Sequence, residues 1–103
     1  MNNLLILHGS YSDPNKNWFK YLKKKAEALQ FRVSVPQLDV IKDIDIDKTY
    51  NLLLEKQLIN TDAVMVGHSS GATLILKILQ KLPPNLVLKK AILVAAFIDA
   101  NLN

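Results

Sequence analysis

Cysteine is absent from this 103-residue chain, which excludes a disulfide framework, a thiolate nucleophile and any cysteine metal site. That absence fits a reducing compartment, and the cytoplasm is the expected location. Long hydrophobic runs are missing too. The start, Met1-Asn2-Asn3-Leu4-Leu5-Ile6-Leu7, has no basic residue, and its apolar stretch is too short for a signal peptide or a membrane span. Acidic residues never fall into a metal-ligand pattern. Asp39, Asp43, Asp45 and Asp47 are interrupted by Ile44 and Ile46 and match no calcium loop, so they read as a solvated loop leading into a helix cap at Asp47. No metal and no cofactor is expected. Aromatic residues are few, and none interleaves with basic residues along a strand as a single-strand nucleic-acid binder requires. The net charge of +4 is concentrated in Lys20, Lys23, Lys24 and Lys25, on a helix whose other face carries Trp18, Leu22, Ala26 and Leu29. A solvated helix face accounts for it, and neither nucleic acid nor membrane is an expected partner.

What is present is a packed α/β pattern. Half of the residues are hydrophobic and the mean hydropathy is +0.11, enough for one domain spanning residues 1–103 and too short for two. Leu4 to Leu7 is an apolar strand ending at His8-Gly9-Ser10, and Asp13-Pro14 introduces a helix whose period runs to Leu29. Phe31 to Val35 alternates as a second strand and stops at Pro36. A helix from Lys48 to Ile59, a third strand from Ala63 to Val66, and a helix from Ala72 to Leu82 ended by Pro83-Pro84 follow. Lys90 to Phe97 supplies a fourth strand, apolar from Ala91 onward. The order βαβαβαβ with run-like strands predicts a three-layer αβα fold around a parallel sheet of about four strands.

Chemistry concentrates at Gly67-His68-Ser69-Ser70-Gly71, set between the third strand and the helix after it. A Gly-x-Ser-x-Gly turn in that context forms a nucleophile elbow, which holds the serine in a strained corner with its hydroxyl exposed. Gly67 and Gly71 are needed because a side chain there would collide with the neighbouring strand and helix. Ser69 is the candidate nucleophile. The Ser70 backbone N–H, opening the helix, is a candidate donor to the charge that develops in acyl transfer.

These motifs, with His8-Gly9 after the first strand, Asn17-Trp18-Phe19 and Leu22-Lys23-Lys24 in the first helix, and Ala91 to Phe97, occur in a familiar order and spacing. From about Leu4 to Asp99 the chain resembles the retinoblastoma-binding-protein-nine and YdeN-like family of small serine hydrolases, a compact branch of the α/β-hydrolase fold. The resemblance implies a strand order of 2-1-3-4 and an esterase-like activity on ester or amide bonds. It also implies that Ser10 completes the oxyanion hole through its N–H, that His68 supports the elbow without being the base, and that His8 and Gly9 support the site from the first loop. For His8, a polar support and a merely satisfied buried histidine are both open.

Alpha/beta-hydrolases order their triad as serine, acid, histidine. Here both histidines precede Ser69, and Asp99 is the sole acid after the elbow, where a plain strand-end carboxylate is the better reading. The expectation is a truncated α/β-hydrolase whose isolated chain is weakly active or inactive, because the triad acid and histidine are missing. A small-molecule ester or amide is the expected substrate. For the outer edge of the fourth strand three alternatives stay open: a second chain carrying the missing half, self-association, or no cover at all, as in the marginally stable product of an interrupted gene. Two alternatives stand beside this: a noncatalytic truncated hydrolase or binding subunit, and, remotely, a tetrapyrrole metal chelatase in which His8 would bind the metal.

Overall fold

The computed structural model describes residues 2–8, 18–38 and 46–94. Strand β1 (Asn3–Leu7) is followed by helix α1 (Phe19–Ala28), strand β2 (Arg32–Ser34), helix α2 (Ile46–Glu55), strand β3 (Val64–His68), helix α3 (Ser70–Lys81) and strand β4 (Lys90–Val94). The four strands form one sheet in the order β2-β1-β3-β4, and each pairing is parallel. This is the strand order that the family resemblance implies, in the parallel sheet expected from the run-like strands.

Strand alternation divides the core in two. Leu5, Leu7 and Met65 point to one face and pack with Leu53 of α2 and with Leu74, Ile75 and Ile78 of α3. Leu4, Ile6 and Val66 point to the other and pack with Phe19 and Ala26 of α1. Right-handed crossovers require this division. The chain moves from β1 outward to β2 through α1, and in the opposite direction through α2 and α3, so α1 must lie on the other face from its fellows.

Element ends differ from expectation in instructive ways. Strand β3 runs past Val66 to His68, carrying sheet pairing directly into the elbow. Helix α2 stops at Glu55 instead of Ile59, and α1 stops at Ala28. Gln57 and Gln30 take left-handed backbones there, with φ of 58° and 68°. Around each, two N–H groups return to the last turn: Gln30 to Glu27 and Phe31 to Ala26, Gln57 to Leu54 and Leu58 to Leu53. Both are Schellman closures, and glutamine stands where glycine is the usual occupant. Removing the strained Cβ in Gln30→Gly or Gln57→Gly should therefore stabilise the fold by about 0.5–1 kcal/mol. A urea midpoint that rises with an unchanged slope checks this, and a falling midpoint refutes it.

Asp47 is also displaced from its expected role. It lies inside the first turn of α2 instead of capping it, where its carboxylate suits the positive end of the helix and pairs with Lys81 of α3. At its other end α3 stops as foreseen: Leu82, preceding Pro83, adopts the extended backbone that a following proline demands. Asp39, Asp43, Asp45, Asp99, residues 95–97 of the expected fourth strand and the Asp13-Pro14 helix start lie outside the described residues.

Candidate active site

The crevice of an open parallel sheet forms where neighbouring strands send their connections in opposite directions. Here those strands are β1 and β3, and their carboxyl ends carry His8 and the Ser69 corner. Gly9 and Ser10, the remaining first-loop candidates, lie outside the described residues.

Ser69 sits between β3 and α3 with φ 56° and ψ −119°, a combination that side chains rarely adopt and that persists only when its surroundings enforce it. Three contacts do so. The Ser69 N–H donates to the Val94 carbonyl at 2.9 Å, fixing the corner to the end of β4. The Ser69 carbonyl accepts from Ala72 and Thr73, fixing it to the first turn of α3. The two glycines allow the close approach: a Cβ on Gly71 would stand 2.2 Å from the Leu7 carbonyl oxygen, and one on Gly67 would stand 2.5 Å from that of Gly71. The elbow thus presses directly onto the last residue of β1.

A serine at a helix N-cap ordinarily turns its hydroxyl back onto the first-turn N–H groups. Ser69 occupies the N-cap of α3 and makes no such bond. Ser70, buried, is the first residue of α3, so its N–H belongs to the positive end of that helix.

The two histidines are held in different ways. His8 is 1% exposed, and its Nε2 accepts the Leu38 N–H at 2.8 Å. To accept there, the ring must carry its proton on Nδ1, which leaves no lone pair on that imidazole for a serine proton. The two readings left open for His8 merge: it is a satisfied buried histidine, and through that bond it ties the segment after β2 to the end of β1. His68 shares the α1 face with Val64 and Val66 and meets Trp18 and Phe19 edge-on, at ring separations of 5.8 and 6.0 Å. It braces the elbow against the start of α1. The Leu38 partner of His8 was not singled out by the sequence. Its only local signal is an apolar residue two places after Pro36, and the bond spans thirty residues of chain.

Among the described residues, no helix is long and apolar enough to cross a membrane, and no group of three or more histidine or acidic side chains could hold a metal ion.

Comparison with solved structures supports the fold. The chain is similar to the ydeN gene product from B. subtilis, with a TM-score of 0.74 and 24% identity over 94% of this chain and 53% of that one. It is also similar to an extracellular alpha/beta-hydrolase from a Paenibacillus species, described as sharing structural and functional homology with tobacco salicylic acid binding protein 2. There the TM-score is 0.72, with 18% identity over 96% of this chain and 42% of that one. The chain therefore spans about half the length of these neighbours. No curated protein sequence matches it. The sequence model of one family, described as serine hydrolase, matches residues 4–102. With that match over nearly its whole length and the α/β-hydrolase fold around it, the chain belongs to the serine hydrolase family.

Proposed function

We propose that the chain carries the nucleophile portion of a serine hydrolase acting on ester or amide bonds, on the YdeN-like and retinoblastoma-binding-protein-nine branch of the family, in the cytoplasm. The observation that carries this reading is Ser69: an N-cap serine that does not cap, held in a left-handed backbone between two glycines. In that role Ser69 Oγ attacks a substrate carbonyl carbon, and the N–H groups of Ser70 and Ser10 receive the oxyanion. Collapse of the tetrahedral intermediate expels the alcohol or amine and leaves an acyl-serine, which water hydrolyses. The base that takes the serine proton is neither His8, whose lone pair already accepts from Leu38, nor His68, which lies against Trp18 and Phe19. A histidine and an acid from elsewhere complete the triad.

A fluorophosphonate probe tests this reading. Prolonged exposure should label the chain once, at Ser69 by peptide mapping, and Ser69→Ala should remain unlabelled. Turnover of a p-nitrophenyl ester by the chain alone should stand little above background, since losing triad partners removes several orders of magnitude in rate. Labelling that persists in Ser69→Ala, or no labelling at all, overturns the nucleophile role. Robust turnover abolished by Ser69→Ala overturns the claim that the base lies elsewhere.

A further inference from the structure

The outer side of α1 is more basic than a solvated helix needs to be. Phe19 and Ala26 are buried against the sheet. With about 3.6 residues to the turn, the side opposite them carries Lys20 and Lys24 in one row and Tyr21 and Lys25 in the next. Lys23 flanks the first row. All five side chains are exposed, and Tyr21 is 66% exposed.

A helix face kept for contact with water ordinarily mixes charges of both signs. This one does not. Helix α1 has no acid in its first turn, where the positive end of the helix favours one, and carries Lys20 there instead. Lys20 stands three and four residues from Lys23 and Lys24, spacings at which like charges repel on a helix. Glu27 is the one acid of α1, and among the described residues it makes no ion pair with Lys20, Lys23 or Lys24. Lys25, in the last turn, is the one lysine placed where the helix dipole favours a cation, and its ammonium stands 5.5 Å from the centre of the Tyr21 ring. The stability of the helix therefore accounts for Lys25 and counts against Lys20. A negative surface outside the protein would satisfy them together.

From this arrangement we infer that the outer side of α1 docks on an anionic lipid bilayer, with Lys20, Lys23, Lys24 and Lys25 against the charged headgroups and the Tyr21 ring at headgroup depth. The negative charge of such a surface faces all four ammonium groups at once and relieves their repulsion. Two observations select it over other polyanions. All four cations are lysine, whose compact ammonium answers a diffuse field, and none is the arginine whose planar fork matches individual phosphates of a nucleic acid or carboxylates of an acidic protein. Tyr21 stands exposed among them, and a ring with an apolar body and a polar tip suits the boundary between water and lipid. The contact is peripheral, since no described helix is long and apolar enough to cross the membrane. The inference goes beyond the chemistry proposed for Ser69 and does not rest on it.

Cosedimentation of the full 103-residue chain with vesicles tests this. The chain should sediment with vesicles of phosphatidylcholine mixed with phosphatidylserine, stay in solution with pure phosphatidylcholine, and leave the mixed vesicles as salt is raised. A lysine near an anionic surface contributes roughly fivefold to binding, so Lys20→Gln combined with Lys24→Gln should weaken it roughly twenty-five-fold. Lys56→Gln combined with Lys89→Gln removes the same charge from exposed positions outside α1 and should leave binding nearly unchanged. Ser69→Ala should bind as the unaltered chain does, which separates this result from any failure of the proposed activity. Absence of sedimentation with the mixed vesicles overturns the inference. Equal losses from the two lysine pairs also overturn it, because net charge and not this face would then do the binding. Duplex DNA that strips the chain from the mixed vesicles at equal phosphate concentration overturns it in favour of nucleic acid.

Discussion

Gly71→Ala is expected to be the most damaging single methyl addition at either glycine of the elbow. Its new Cβ would fall 2.2 Å from the Leu7 carbonyl oxygen and 2.8 Å from that of His8. The three nearest atoms it meets are all backbone, so no rotamer change can relieve those clashes. Either β1 moves away from α3 or the Ser69 corner opens. Overpacking in a core typically costs about 1–3 kcal/mol, and a rigid obstacle of this kind belongs at or above the upper end. For a domain of this size that corresponds to a fall in melting temperature of more than about 10 °C. Gly67→Ala should cost less, because one of its three nearest contacts is the Ile75 Cδ1 methyl, which can turn aside. Thermal unfolding of both variants checks the order. A Gly71→Ala chain that melts with the unaltered protein would mean that the packing of elbow on β1 is looser than described.

The second large effect is expected at His8. Truncation to alanine removes the acceptor of the Leu38 N–H and leaves that donor buried, a loss of about 1–3 kcal/mol. The vanished ring also leaves a cavity at a fully buried position, which adds to the cost by the same logic as large-to-small core changes. Together these should amount to about 2–4 kcal/mol, read as a lower urea midpoint. His8→Gln keeps an acceptor of similar reach and should recover part of the loss. Equal damage from both variants would show that the ring's shape, and not its hydrogen bond, holds the end of β1.

The sequence carried the strand-turn-helix context of Ser69 because two independent signals coincide there. Glycine is scarce in this chain, three residues in all, and two of them flank the serine, while the apolar run before it and the helical period after it set its corner. The order of the strands followed from the family's pattern, and parallel pairing from the apolar runs. Local residue types said nothing of the contacts between distant segments. The His8–Leu38 bond joins residues whose own neighbourhoods look ordinary, and the Ser69–Val94 bond depends on how far β4 slides along β3. Helix ends were misplaced for a related reason. Gln30 and Gln57 give no glycine-like signal, yet tertiary packing of Phe31 and Leu58 against the two core clusters holds them in left-handed backbones. Leu29 illustrates the converse. Its helical period marks it as core, yet α1 ends at Ala28 and Leu29, as the residue that closes the helix, is 74% exposed.

The bond from the Ser69 N–H to the Val94 carbonyl also sets an order in time. During synthesis Ser69 emerges well before Val94, so the corner has no anchor on that side until β4 has left the ribosome and found β3. A backbone as unfavourable as that of Ser69 has no reason to persist before then and relaxes to ordinary values. β1, which the elbow presses upon through Gly71, is already waiting, but it meets β3 only after some sixty residues of intervening chain have been made, a closure that is slow compared with helix formation. The Ser69 corner is therefore among the last features of this sheet to form, and a nascent chain carries that serine in a relaxed backbone until the fourth strand has docked.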